Sequence, residues 1–93
     1  MEVIVFSMEG CPHCDNLKKQ LTERNIKFIE KDVDEKENVL IYENFSKKVE
    51  SDYLPAILVG NKAFIPERSF KTIEQAADTI QNYLSELSQN GHH

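Results

Sequence analysis

Cys11-Pro12-His13-Cys14 holds the only two cysteines of the chain, three positions apart. Two thiols at that spacing can trade a dithiol for a disulfide, so the pair reads as redox chemistry. A scaffold role fits poorly, because a bridge enclosing two residues constrains the unfolded chain little. Metal chemistry fits poorly too. Zinc takes four ligands and there is no second cysteine pair; His13 stands between the cysteines, and terminal His92 and His93 have the composition of a purification tag. No metal site is expected.

A pair of this kind works only if its neighbours hold it in place. Val3-Ile4-Val5-Phe6 is a short apolar, β-branched run, Ser7-Met8-Glu9-Gly10 a turn-like break, and Pro12 opens a stretch with apolar residues at Leu17 and Leu21. Strand, loop and helix are predicted, since proline is tolerated in the first helical turn, where its missing N–H has no intrahelical partner. Cys11 then falls just before a helix N-terminus. Unpaired N–H groups and the positive end of the helix dipole both favour its thiolate. Glu9 opposes this weakly, by less than about 1 kcal/mol across water. Cys14, one turn further in, is expected to be more buried, so attack on substrate is assigned to Cys11 and resolution to Cys14.

The rest of the chain alternates strands and helices. Lys27–Val33 reads as a second strand, entered from a helix stop near Asn25. Asp34 is the expected N-cap of a second helix, with Glu37 completing a capping box and Val39, Tyr42, Phe45 and Val49 forming its core face. Leu54–Val59 is a third strand, Gly60-Asn61-Lys62 a tight turn, and Ala63-Phe64-Ile65 a fourth strand paired as a hairpin. Phe70, Ile73, Ala76, Ala77, Ile80, Tyr83, Leu84 and Leu87 make the apolar stripe of a last helix, with Ser69 as N-cap or Thr72 and Gln75 as an alternative start. Tyr42, Tyr53 and Tyr83 read as core or rim aromatics and Lys47-Lys48 as a solvated face. The order is βαβαββα, its first two strands parallel through a right-handed crossover and its last two antiparallel.

Composition sets the outer limits. A 93-residue chain makes one domain, placed at 1–87 with a polar tail at 88–93, and buries roughly 60 to 65% of its unfolded surface. Sixteen acidic against eleven basic side chains give a formal charge of -5, which argues against nucleic acid or an anionic membrane as partner. The apolar run at Val3 is too short for a signal segment or a membrane span, so a cytoplasmic location is expected. A monomer is expected as well.

The cysteine pair leading the first helix, Pro55 opening the third strand and the βαβαββα order together resemble the thioredoxin fold, and in size the chain is similar to the glutaredoxins. The resemblance spans Glu2 to about Leu87. It implies an α/β fold with a four-stranded mixed sheet flanked by three helices, the first and third on one face. It also implies a cis Pro55 against the cysteines, with the backbone of Leu54 pairing to a bound peptide or glutathione as an added strand. The activity implied is thiol–disulfide oxidoreduction by the Cys11/Cys14 couple on protein disulfides or mixed disulfides with glutathione. Glutathione or a thioredoxin-reductase-type flavoenzyme would supply electrons, with no tightly bound cofactor. The Pro12-His13 dipeptide resembles that of strongly oxidising thiol oxidases, which implies that His13 helps stabilise the thiolate. Three positions depart from the glutaredoxin pattern. Met8 stands where a lysine usually helps hold a glutathione carboxylate; Pro66-Glu67-Arg68-Ser69 replaces a Gly-Gly pair and an aspartate; and Leu54 replaces a small β-branched residue. Arg68 and Ser69 are the candidates to take over anion binding, against Glu67. A metal- or cluster-binding module, or a non-catalytic interaction module, is the alternative on the same fold.

Overall fold

Both flanks of the first strand are apolar, and the protein uses both. The computed structural model describes residues 2–90. Strand β1 (Val3–Ser7) sends Val3 and Val5 into one buried cluster and Phe6 into another, so it lies mid-sheet with a core on each face. It is followed by α1 (Pro12–Glu23), β2 (Ile29–Asp32), α2 (Lys36–Val49), β3 (Ala56–Val59), β4 (Lys62–Phe64) and α3 (Ile73–Asn90). The sheet order is β2-β1-β3-β4, with β2 parallel to β1 and the other two pairings antiparallel. This is the mixed thioredoxin-like sheet with three flanking helices that the resemblance implies, in the βαβαββα order read from the residue pattern.

Helices α1 and α3 share one face. Leu17 and Leu21 of α1 and Ala76, Ala77 and Ile80 of α3 close over Val3, Val5, Ile57 and Val59, all buried. The small alanines let α3 come close while the apolar stripe continues through Tyr83, Leu84 and Leu87. Helix α2 covers the other face, where Phe6 meets Tyr42 at 5.5 Å and Phe45 at 4.8 Å between ring centroids. Those separations suit tilted aromatic contacts.

Several boundaries differ from the sequence reading, each for a local reason. Strand β2 begins at Ile29 rather than Lys27, because Ile29 pairs with Ile4 and Phe28 instead packs into the α1–α3 core. Asp34 is not the cap of α2. The Asp32 carboxylate accepts from the Asp34 N–H at 2.9 Å, holding Asp34 in a turn, and Glu35 takes the N-cap position without a side-chain bond. The inward face shifts with that start. Asn38 is buried, its amide donating to the Asp32 carbonyl at 3.0 Å, while Val39 turns to the exposed side.

The hairpin is shifted by one residue from expectation. Lys62 pairs with Val59, leaving Gly60-Asn61 as a two-residue turn, and β4 ends at Phe64. Leu54 and Pro55 precede β3 rather than begin it. Ser69 does not cap α3, since its hydroxyl accepts from the Ile65 N–H at 3.0 Å. The alternative start is the one formed. Thr72 Oγ1 accepts from the Gln75 N–H at 3.1 Å, and Gln75 Oε1 accepts from the Thr72 and Lys71 N–H groups. Ser88, Gln89 and Asn90 continue α3 rather than form a tail, and Gly91, His92 and His93 lie outside the described residues. Among the described residues no helix is long and apolar enough to cross a membrane.

The pairing register places the site. Ser7 at the end of β1 lies beside Asp32 at the end of β2, Phe6 beside Ala56 at the start of β3, and Ile57 beside Phe64 at the end of β4. The loops holding Cys11, Pro55 and Pro66 therefore leave the same edge of the sheet.

Candidate active site

Cys11 and Cys14 are joined as a disulfide, their Cα atoms 5.3 Å apart. The loop that delivers them turns on Gly10, whose φ of +77° is open to a residue without a Cβ. No heavy atom lies within 4 Å of where that Cβ would be, so the demand is on the backbone alone. Cys11 is the N-cap of α1 in extended conformation, Pro12 starts the helix, and the Cys14 N–H donates to Cys11 Sγ at 3.2 Å. One of the orphan donors of the helix end is thus aimed at the sulfur. Cys11 is half-buried and Cys14 fully buried, an inequality that follows from cap position against first inward turn. Of the two residues only Cys11 is open to solvent.

The Leu54–Pro55 peptide bond is cis. Pro55 is buried and Leu54 half-buried. Among the described residues neither the N–H nor the carbonyl of Leu54 has a hydrogen-bond partner. A cleft of about 480 Å³ opens at His13, the residue between the two cysteines, with Leu54, Pro55, Glu67, Phe70 and Ile73 also in its walls; neither cysteine lines it. Three sequence candidates, His13, Leu54 and Pro55, are brought together there. His13 is exposed and hydrogen-bonds to neither sulfur.

Met8, Arg68 and Ser69 lie outside the cleft walls. Met8 is 42% exposed before the loop, and the Ser69 hydroxyl is engaged by Ile65. Arg68 donates through its two terminal nitrogens to the Val49 and Glu50 carbonyls, the second at 2.6 Å. It satisfies orphan carbonyls at the end of α2 instead of serving an anion in the cleft. Glu67, Lys71 and Glu74 are wall residues that sequence reasoning did not single out as binders. For Glu67 the one legible signal is Pro66-Glu67 following a strand, a turn sequence.

A polar bridge fixes α1 against the sheet. Buried Ser7 donates to Glu30 Oε2 at 2.7 Å, and Lys18 Nζ lies 2.5 Å from the same oxygen and 3.5 Å from Asp15. The hydrogen bond from Lys18, then that from Ser7, holds the Glu30 carboxyl below its usual range; the bond to Glu30 raises Lys18 above its own. A depressed carboxyl contributes stability above its unfolded pKa and loses it as pH falls through the folded value; a raised lysine contributes below its unfolded pKa and loses it as pH rises through the folded one. The bridge therefore stabilises from the mid-acid range up to strongly alkaline pH. Both ends are partly exposed, so we expect Lys18→Met to cost less than about 1 kcal/mol at pH 7, with the difference from the parent shrinking once the pH falls below the usual carboxylate range. Urea unfolding at pH 7 and below that range checks this, and an equal loss at both would assign it to packing instead.

No group of three or more His, Cys, Asp or Glu side chains converges as a metal site among the described residues. A glutaredoxin family model matches residues 3–65. No curated protein shows a significant sequence match. Among solved structures, the chain is similar to a buckwheat glutaredoxin–glutathione complex (15% identity, 96% of this chain and 78% of that one, TM-score 0.69). It is also similar to the holo form of glutaredoxin C1 from Populus tremula × tremuloides (20% identity, 95% and 83%, TM-score 0.67). A third is the glutaredoxin-like protein NrdH-redoxin from Escherichia coli, described as having a thioredoxin-like activity profile (19% identity, 81% and 93%, TM-score 0.61). At these identities the structural matches speak for the fold.

Proposed function

Because the chain belongs to the glutaredoxin family, we propose that Cys11 and Cys14 are the reacting pair of a dithiol–disulfide oxidoreductase acting on protein disulfides or mixed disulfides with glutathione. The observation that carries this reading is the Cys11 sulfur at the N-cap of α1, accepting from the Cys14 N–H, with His13 between the two cysteines in the wall of a cleft shared with Leu54 and Pro55.

In the reduced protein the Cys11 thiolate attacks one sulfur of a substrate disulfide. That bond breaks, the departing thiolate takes a proton, and Cys11 holds the other half as a mixed disulfide. Cys14, as thiolate, then attacks Cys11 Sγ and expels the second substrate thiol. Two electrons have passed to the substrate, and the Cys11–Cys14 disulfide remains. The Cys14 N–H and the helix end favour the Cys11 thiolate, a charge-assisted hydrogen bond being stronger than a neutral one. The Leu54 N–H donates to, and its carbonyl accepts from, an extended substrate segment that adds as a strand. His13 lies in the cleft wall, where it can contact a bound substrate.

A donor must reduce the disulfide again. Glutathione and a thioredoxin-reductase-type flavoenzyme are the two candidates; the chain is similar both to a glutaredoxin solved in complex with glutathione and to a glutaredoxin-like protein described as having a thioredoxin-like activity profile. Insulin reduction followed separately with each donor is expected to proceed with at least one of them. No turnover with either, from protein whose two thiols titrate fully, would overturn the proposal.

A further inference from the structure

The wall of the cleft contains a glutamate where the backbone favours glycine. Ile65-Pro66-Glu67-Arg68 is a type II turn: the Arg68 N–H donates to the Ile65 carbonyl at 3.2 Å, proline is second, and Glu67 is third with φ +71°. That third position strains any residue bearing a Cβ. The turn is held from both sides, by Ser69 N–H on the same Ile65 carbonyl and by Glu67 N–H on the Phe70 carbonyl, each at 2.8 Å. Glu67 is thereby fixed at the cleft beside Leu54 and Pro55.

Its charge stays uncompensated locally. The adjacent cation, Arg68, is turned to the carbonyls that end α2, and Glu67 joins no ion pair among the described residues. The charged groups in the cleft walls are Glu67, Glu74, Lys71 and the titratable His13, so carboxylates outnumber the permanent cation. The chain as a whole carries -5.

Resting on the redox reading above, we propose that Glu67 is a specificity residue: it selects disulfide partners that present a basic side chain beside the reacting cysteine and disfavours anionic ones. A substrate strand lying along Leu54 brings the residue next to its cysteine within reach of the turn. A carboxylate there attracts arginine or lysine and repels glutamate, and also the carboxylates of glutathione. The chemical class implied is a basic protein segment carrying a disulfide.

Three probes test it with the fully reduced protein in single turnover: hydroxyethyl disulfide, and two short peptides joined to 2-mercaptoethanol, differing only in an arginine or a glutamate beside the cysteine. The parent is expected to reduce the arginine peptide about fifteenfold faster than the glutamate peptide, about fourfold for each of the two units of charge that separate them at about 5 Å in a watery dielectric. The ratio should fall toward one in high salt. Glu67→Gln should bring it close to one at low salt, Glu67→Lys should invert it, and Glu67→Gly, which suits the left-handed backbone, should match the glutamine variant. A ratio of one in the parent, or a parent-like ratio in the Gln and Gly variants, overturns the assignment. In either case consumption of hydroxyethyl disulfide by the parent leaves the redox reading standing. Its absence, with all three probes inert, overturns both.

Discussion

Cys11→Ser is expected to lower disulfide reduction by roughly a thousandfold or more, because exchange needs a thiolate and a serine hydroxyl does not become a comparable nucleophile near neutral pH. Cys14→Ser should behave differently. The accessible Cys11 still attacks, but no second sulfur lies buried behind it to displace the product. One equivalent of mixed disulfide on Cys11 should therefore accumulate, visible as a single substrate mass added to the intact protein. The asymmetry follows from burial, Cys11 half-buried at the cap and Cys14 at 0% exposure one turn on. A serine hydroxyl at that buried place costs about 1–3 kcal/mol if it finds no partner, so an unfolding curve belongs beside the mass measurement. A stable adduct on Cys14 in Cys11→Ser, with Cys11 remaining free in Cys14→Ser, would reverse the assigned roles.

The second large effect is expected on stability. Phe6→Ala removes the ring that ties α2 to the sheet, where Phe6 is 1% exposed and lies against Tyr42 and Phe45. The fully buried part of that face is small, Phe6 with Ala56 and Ile65, so neighbours have little with which to refill the space. Large-to-small changes of this kind cost about 3–5 kcal/mol. For a domain of this size that is a large share of a total near 5–14 kcal/mol, and it should lower Tm by roughly 15 °C or more. Phe6→Leu keeps most of the volume and should lose less. A drop of under about 1 kcal/mol for Phe6→Ala in urea unfolding would show that α2 is held by something else.

What the sequence made legible was what neighbouring residues decide together. Val3–Phe6, Pro12 and the cysteine spacing place the strand, the helix start and the capping sulfur, because strand pattern and cap chemistry act within a few residues. The periodic stripe of α3 was equally plain, and its start was resolved by a side-chain exchange between Thr72 and Gln75 that the residue types allow at either candidate position. Errors arose where two local options competed. Asp34 and Asp32 are both suited to bind nearby N–H groups, and Asn38 reaching the Asp32 carbonyl belongs to the arrangement that moved the helix start and turned Val39 outward. The cleft was the least legible part. Arg68 looked like an anion ligand on charge alone, yet its partners are carbonyls eighteen and nineteen residues earlier, brought near only by the packing of α2. Glu67 reads as an ordinary loop acid until the positive φ of its turn is known.

The register of the sheet also divides the molecule by use. The loops after β1 and β4 and before β3 meet at one rim, while the Gly60-Asn61 turn and the start of β1, where the Gly60 N–H reaches the Glu2 carbonyl, lie at the opposite rim. Asn61 is exposed there, with the length of a strand between it and the rim that holds the sulfurs. A dye, a surface tether or a fused reporter joined at that turn would leave the reacting rim open to large partners, so the fold comes with its own handle.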